Sequence, residues 1–184
     1  MTVEEFQALN LPEESSLMLI KGIVYDDDPE GDGMTKRNHL HAKTESKLSH
    51  LFHLWRDNSG CRYGIYSGEV GCILPEPVGS VGIDVAVFSP ETVAAHREDL
   101  PYISGVPLLA VEILSPNDRN LVIREKIDQY LNAGVRQVWI IDAYFKTIVV
   151  HRAEHVPEMF ATDAVLVAND VLPGFSVQVL HVFE

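Results

Sequence analysis

Basic residues are scarce in this sequence. Its 14 lysines and arginines stand against 27 aspartates and glutamates, which gives a formal net charge of −13 at pH 7. Proteins that bind nucleic acid usually carry a basic face, because cations on the protein release counterions from the phosphates. The composition therefore argues against a tight, general DNA-binding protein, unless the basic face is local or a bound metal ion supplies positive charge.

Cysteines and long apolar runs are scarce as well. The two cysteines, Cys61 and Cys72, are too few for a disulfide scaffold and lack the spacing of metal ligands, which favours reduced thiols in the core or in strands. No window approaches the roughly 18 apolar residues of a membrane-spanning helix. The N-terminus is acidic and lacks the basic-then-apolar order of a secretory signal. We therefore expect a soluble, cytoplasmic protein.

The length of 184 residues is enough for one domain with a sizeable core. We expect a single domain over residues 1–184, with residues 1–16 as an N-terminal helical extension. Periodicity and turn residues predict a strand at Leu17–Tyr25, a helix at Asn38–Arg56, strands at Cys61–Tyr66, Glu69–Leu74, Ile83–Phe88 and Pro107–Leu114, a helix at Leu121–Ala133, a hairpin of Val135–Asp142 with Lys146–Arg152, and a strand at Phe175–Val179. Ser67 and Gly68 are predicted to form a hairpin turn. This order predicts an α/β fold with a mixed β-sheet flanked by helices.

Two of the predicted strands each contain a single acid. Glu112 interrupts an otherwise apolar strand, and Asp84 lies near the start of another. Removing an ionised carboxylate from water costs several kcal/mol unless a cation or hydrogen-bond donors meet it, with about 20 kcal/mol as the idealised limit. Glu112 could instead be a surface acid paired with Arg119 or Arg124, and Asp84 could cap a turn; both alternatives remain open from the sequence.

A divalent cation would make two neighbouring carboxylates compatible with burial. Mg²⁺ prefers hard oxygen ligands and typically binds through one or two carboxylates, with water and phosphate oxygens completing its shell. Such an ion can polarise a phosphodiester and activate water. In the predicted helix at 121–133, the buried apolar stripe consists of Ile123, Ile127, Tyr130 and Leu131. Lys126 lies on the flank of this stripe, where it could orient the water or contact phosphate oxygens. Taken alone, that lysine is more typical of a solvated helix surface.

Several segments resemble a large bacterial family of predicted restriction endonucleases, a domain family of unknown function within the PD-(D/E)XK nuclease superfamily. The matching residues are Asp84 in IDVAV, Glu112 in VEILSP, Lys126 followed by Tyr130, the segment GVRQVWIID and the late LPGF. The resemblance implies a restriction-endonuclease-like fold and a metal held by Asp84, Glu112 and the backbone carbonyl of Ile113. Mg²⁺ is the implied cofactor, with Mn²⁺ as a substitute.

The sequence departs from this family pattern at three positions. The superfamily lysine normally follows the glutamate by two residues, but that position is Leu114 here, so the resemblance places the lysine at Lys126. Ile83 stands where the family usually has proline, and Val122 where it commonly has aspartate. These departures leave room for a diverged or inactive site.

The resemblance also implies two further candidate residues, His41 at the head of the first long helix and Glu69 in a neighbouring strand. The predicted function is a Mg²⁺-dependent endonuclease that hydrolyses phosphodiester bonds, with DNA as the expected substrate. A catalytically inactive binding or assembly module is the main alternative, and a hydrolase of another phosphate ester is a third. Restriction-type nucleases often dimerise, so a homodimer is one expectation, with Trp139, Tyr144 and Phe145 as candidate contacts.

Overall fold

A computed structural model describes residues 1–2, 5–6, 8–9, 17–20, 22–26, 38–75, 77–97, 99–115 and 120–184. Most of the predicted N-terminal extension at 1–16 lies outside these residues. Arg119, one of the proposed partners of Glu112, also lies outside them. The strands are β1 (Leu17–Ile20), β2 (Ile23–Asp26), β3 (Gly64–Leu74), β4 (Gly79–Phe88), β5 (Ile103–Ser104), β6 (Leu109–Ile113), β7 (Gln137–Asp142), β8 (Thr147–His151), β9 (Glu158–Phe160), β10 (Val165–Val167) and β11 (Ser176–Gln178). The helices that lie entirely within the described residues are α1 (His39–Ser59), α2 (Pro90–Ala95) and α3 (Asn120–Ala133), with a 3-10 turn at Val179–Val182.

Seven strands form one mixed sheet in the order β5-β3-β4-β6-β7-β8-β9. Strands β6 and β7 are parallel and are connected through α3, whereas β4 pairs with β6 and β7 with β8 in antiparallel fashion. Two antiparallel hairpins, β1-β2 and β10-β11, lie outside this sheet. The predicted α/β fold with a mixed sheet and flanking helices is confirmed.

Helix α1 covers one face of the sheet. Leu48, Phe52 and Trp55 pack in a buried cluster with sheet residues such as Val85 and Trp139. The helix begins after Asn38, whose side chain accepts hydrogen bonds from the backbone of residues 40 and 41, and it ends at a glycine in the left-handed conformation. The predicted helix is therefore confirmed, three residues longer at its C-terminal end.

Helix α3 covers the opposite face. Tyr130 of this helix is buried with Ala86, Ala110 and Ile140, whose neighbours in sequence point to the α1 side. Side chains alternate between the two faces of a strand, so a strand covered on both faces is apolar almost throughout. This explains why β4 and β6 read as nearly continuous apolar runs and why their two acids stand out.

The predicted hairpin turn at Ser67 and Gly68 is wrong. The segment is one strand, β3, that runs antiparallel to β4 throughout, and its register shifts between Ser67 and Val70. Gly68 and Glu69 both adopt positive φ, at 91° and 57°. The glycine that suggested a turn therefore permits a β-bulge, in which β3 carries one more residue than β4.

The β7-β8 hairpin is confirmed, but Trp139 within it was expected to be exposed and is not. Trp139 is fully buried, and its indole N–H donates to Gln137 Oε1 at 2.8 Å. It lies on a central strand, so its place beside a hairpin in sequence does not make it accessible. Trp139 is therefore wrong as a dimer contact, whereas a homodimer stays a prediction. No helix among the described residues is long and apolar enough to cross a membrane.

Replacing Phe52 with alanine should lower the free energy of unfolding by about 3–5 kcal/mol, because it removes a fully buried ring and leaves a cavity. The Phe52 ring centroid lies 5.7 Å from that of Trp139 and 5.1 Å from that of Phe175. Removal of the ring therefore eliminates its contacts with both aromatic neighbours. Urea denaturation measures the change. Leu54→Ala on the same helix is the matched control, since Leu54 is 46% exposed and its loss should cost much less. Equal losses in the two variants would contradict the packing of α1.

Candidate active site

Asp84 and Glu112 lie at the same end of the sheet, on adjacent strands. The β4-β6 ladder pairs Val85 with Val111 and Ala86 with Ala110, so the next position along the ladder sets Asp84 beside Glu112. Both residues are buried, at 6% and 5% exposure. The alternatives of a surface acid at 112 and a turn-capping acid at 84 are therefore wrong.

Helix α3 supplies two partners to Glu112. Lys126 Nζ lies 3.2 Å from Glu112 Oε2, and the Tyr130 hydroxyl donates to Glu112 Oε1 at 2.7 Å. Residues four apart share one face of a helix, so the lysine and the tyrosine reach the carboxylate together. The Tyr130 hydroxyl also lies 3.3 Å from the carbonyl oxygen of Gly82, which ties α3 to β4.

The burial of Lys126 differs from the sequence prediction. The helical spacing placed this residue on the flank of the buried stripe, but it is 7% exposed and forms an ion pair with Glu112. The interpretation of Lys126 as a solvated surface lysine is therefore wrong. The sequence prediction placed the centre of the buried stripe among apolar residues. The buried face of α3 instead includes Lys126 and Tyr130 and faces the Glu112 carboxylate.

Asp84 is held by the backbone of the strand that carries Glu112. Its Oδ2 accepts a hydrogen bond from the Ile113 N–H at 2.7 Å, and its Oδ1 lies 3.4 Å from His41 Nε2. His41 is buried at the start of α1, and its Nε2 also lies 3.8 Å from Glu45 Oε2. Ser115 Oγ lies 3.4 Å from His41 Nδ1. The structure thus brings His41, from the far side of the sheet, into contact with the acid pair.

Glu69 borders the site from the other side of β4. It is exposed and lies in the β3 bulge directly opposite Asp84 in the ladder, between the pairs Ser67-Val85 and Val70-Ile83. Bulges near functional sites change the direction of nearby side chains. A metal role for Glu69, like that of the Ile113 carbonyl, stays a prediction.

Three residues of this cluster were missed as site residues from the sequence. Tyr130 was recognised only as part of an apolar stripe and of the family pattern, although it contacts Glu112 directly. Glu45 follows His41 by four residues, a spacing that places both on one helical face. Ser115 follows the end of β6 by two residues. It lies near His41 because the start of α1 packs close to the end of that strand.

Burial dominates the electrostatics of the cluster. It raises the pKa of Glu112 to about 7, against the lowering effect of the Lys126 charge, and the nearby charge of Asp84 raises this pKa further. Burial, and then the charge of Glu112, also raises the pKa of Tyr130 well above its ordinary value. The phenol therefore stays protonated at neutral pH and acts as a hydrogen-bond donor.

The chemistry of the donors fits a hard divalent cation. Carboxylate oxygens are preferred ligands of Mg²⁺, which usually keeps several waters and binds through one or two carboxylates. Within the described parts of the chain, no group of three or more His, Cys, Asp or Glu side chains is arranged to hold a metal ion. The residues fit an ion held by two carboxylates and completed by other oxygens, and they do not form a cage of protein ligands.

Comparison with known proteins identifies relatives of the whole chain. The model of the Uma2 family, described as "Putative restriction endonuclease", matches residues 3–180. The crystal structure of a "putative nuclease belonging to DUF820" from Anabaena variabilis ATCC 29413 is similar, with a TM-score of 0.81 and 21% identity over 100% of this chain and 97% of that one. At this identity the likeness establishes the fold. No curated protein matches the sequence.

Replacing Glu112 with glutamine should change the pH dependence of stability in metal-free protein. The pKa of Glu112 is about 7 in the folded state, against about 4.3 for an unperturbed glutamate. Between these values the folded state holds the extra proton, so this contribution to stability is complete below about pH 4 and is lost as the pH rises through about 7. From pH 5 to pH 8 in EDTA, the free energy of unfolding should fall more in the wild type than in Glu112→Gln, by on the order of 1–3 kcal/mol.

Urea denaturation at the two pH values measures this difference. Glu158→Gln is the matched control, because the Glu158 side chain is 55% exposed in a surface ion pair. It should follow the wild-type pH dependence. A Glu112→Gln variant that also follows it would show that burial does not raise this pKa.

Proposed function

Because the chain belongs to the Uma2 family of "putative restriction endonucleases", we propose that it is a Mg²⁺-dependent endonuclease that hydrolyses phosphodiester bonds, with DNA as its substrate. The observation that carries this proposal is the buried acid pair, Asp84 and Glu112, at one end of the sheet, with Lys126 Nζ 3.2 Å from Glu112. Burial of two acids is costly, and acids whose pKa values are perturbed by burial and by a neighbouring charge are typical of functional sites.

Asp84, Glu112 and the carbonyl of Ile113 would hold the metal ion. Bound Mg²⁺ supplies Lewis-acid polarisation of the phosphodiester and lowers the pKa of a coordinated water. The Ile113 N–H holds Asp84 Oδ2 at 2.7 Å, and the Tyr130 hydroxyl holds Glu112 Oε1 at 2.7 Å. These two hydrogen bonds fix the orientation of both carboxylates before substrate arrives, which reduces the reorganisation needed at the reacting phosphate.

Lys126 places positive charge where an anionic substrate needs it. Its ammonium group donates to Glu112 Oε2 at 3.2 Å, so a positive charge lies directly beside one of the two acids. On a protein with a net charge of −13, this local charge and the metal together would offset repulsion of the substrate. Lys126 therefore orients water or phosphate in the proposed reaction.

His41 is a positioning residue in this proposal. Its imidazole lies between Asp84 and Glu45, at 3.4 Å and 3.8 Å, and so links α1 to the carboxylate. A ring in this position fixes the second oxygen of Asp84 while Ile113 holds the first.

The variant Asp84→Asn should lower metal-dependent cleavage by at least about 100-fold, since the amide removes the negative charge that would hold the cation. The fold should persist, because the asparagine side-chain oxygen can still accept the Ile113 N–H. Cleavage of plasmid and linear DNA is measured with Mg²⁺, with Mn²⁺ and with EDTA, and thermal unfolding is recorded in parallel.

Asp57→Asn serves as the control for loss of one negative charge. The Asp57 side chain is 66% exposed at the end of α1, so this variant should cleave at the wild-type rate. An Asp84→Asn protein that is folded and cleaves as fast as wild type would refute the proposed role of the acid pair.

One observation favours a second candidate function, a non-catalytic binding module on a nuclease scaffold. Each of the four carboxylate oxygens of Asp84 and Glu112 already has a partner within 3.4 Å in the protein: Ile113 N–H, His41, Lys126 or Tyr130. Such a cluster can be stable without any ion. Direct measurement of metal binding separates the two functions.

Isothermal titration with Mn²⁺ should show binding to the wild type that is lost in both Asp84→Asn and Glu112→Gln and kept in Asp57→Asn. The reason is that the nuclease site depends on the charge of both buried carboxylates. Binding that is absent from the wild type, or unchanged in both site variants, would support the non-catalytic module instead.

A further inference from the structure

The turn between β7 and β8 presents two aromatic rings to solvent. Tyr144 and Phe145 are 77% and 74% exposed, and their ring centroids lie 5.1 Å apart at an interplanar angle of 89°. We call these two residues the aromatic tip. Both rings lie mostly outside the core, and together they form a small exposed aromatic surface that is available for a contact outside the chain.

The backbone of the aromatic tip is held in place. Asp142 Oδ1 accepts hydrogen bonds from the N–H groups of both Tyr144 and Phe145, at 2.9 and 2.8 Å. Lys146, the next residue, is exposed and has a positive φ of 54°. The turn therefore presents its rings with little backbone entropy left to lose on binding.

The aromatic tip lies at the same end of the sheet as the acid pair. Glu112 on β6 is paired in parallel with Ile140 on β7, and the Leu114 N–H donates to the Ile141 carbonyl at 2.8 Å just beyond. Ala143, where the turn begins, follows Ile140 by three residues, which is about 10 Å along a strand. That distance corresponds to roughly three nucleotide steps of a stacked strand.

We propose that the aromatic tip binds an unpaired nucleobase of the substrate by stacking, a few nucleotides from the bond that the acid pair cleaves. This inference rests on the proposed nuclease function and adds the class of substrate contact: a base in a single-stranded or frayed segment. Perpendicular rings cannot both stack on the same face of one base, so one ring stacks and the other contacts its edge or sugar.

The size of the aromatic tip favours a base over a second copy of this chain. An aromatic side chain buries about 150–250 Å², so the pair buries at most about 500 Å², against about 800 Å² per partner in a stable protein interface. Stacking of a base needs only one aromatic face.

The charge of the protein favours stacking as well. A chain with a net charge of −13 gains little from broad phosphate contacts, whereas aromatic stacking gives affinity that does not depend on a basic face. Lys146 adds one exposed cation in the same turn.

The test measures binding separately from cleavage. Fluorescence anisotropy of a labelled single-stranded DNA oligonucleotide is recorded in EDTA in the Asp84→Asn background, so that cleavage does not interfere. Tyr144→Ala and Phe145→Ala should each weaken binding by about 5- to 150-fold if that ring stacks, and at least one of them must do so. Tyr144→Trp should retain the affinity, because it preserves an aromatic face, and its fluorescence should be quenched by the bound base.

Val156→Ala is the matched control. Val156 is 84% exposed and lies in the turn after β8, at the opposite end of the sheet, so its loss should leave binding unchanged. The same measurement with a fully paired duplex should show a smaller effect of the two alanine variants, because paired bases offer no free face.

The outcomes separate this inference from the proposed function. A wild type that does not cleave, with oligonucleotide binding that still depends on the aromatic tip, refutes the nuclease and retains the contact. Alanine variants that both bind like the parent, or a parent that binds no oligonucleotide, overturn the inference. So does a dimer, seen by sedimentation, that dissociates in the alanine variants in parallel with the loss of binding, since the tip would then be a contact between copies.

Discussion

Burial of the Glu112 carboxylate on β6, the central strand of the sheet, is the constraint on which the rest of this structure depends. An ionised group there would cost several kcal/mol without partners. Helix α3 meets the requirement with Lys126 and Tyr130, one on each oxygen. The two residues lie one helical turn apart on the same face of α3. A helix that connects β6 to β7 across this face of the sheet therefore places both side chains on the Glu112 carboxylate. The β6-α3-β7 unit is thus the element that makes a central acid tolerable.

Asp84 is accommodated through the backbone instead. The β4-β6 ladder ends at the pair of Val85 with Val111, and the Asp84 side chain then accepts the N–H of Ile113. A carboxylate oxygen thereby satisfies a main-chain donor at the end of β6. The bulge at Gly68 and Glu69 lies opposite this residue, where it relieves the regular pairing on the other side of β4. The acid pair is therefore built into the ends of strand ladders, which are more rigid than loops.

The sequence predicted the acids because each one broke an apolar run, a signal that needs no knowledge of the partner. The resemblance to the nuclease family is confirmed, as is the α/β fold. The helical position made Lys126 a candidate on the flank of the buried stripe, and the resemblance assigned it to the site. Neither predicted that it is buried beside Glu112. For Trp139 the prediction failed in the opposite direction: it was expected to be exposed and is fully buried. A residue close to a turn in sequence can still lie in the interior of a sheet.

Other features could not be predicted because they depend on packing between distant segments. Nothing local to His41 indicates that it reaches Asp84, which is 43 positions away and on the other side of the sheet. Gly68 is compatible with both a turn and a bulge, and the continued pairing of Val70 with Ile83 distinguishes them. The metal and the roles of the individual site residues stay predictions, because they concern groups outside the chain.

The acidity of the chain and an anionic substrate are compatible if affinity is concentrated at a few points. With a net charge of −13, repulsion at long range is screened within about 8 Å at physiological salt. A contact made closer than this depends on local groups, and the end of the sheet offers Lys126, a pair of carboxylates suited to a cation, and two exposed rings in the next turn. On the proposed function, such a protein would bind DNA weakly along its length and act where a base is free to leave the helix. Weak general DNA binding would then follow from the same acidic composition that argues against a tight, general DNA-binding protein.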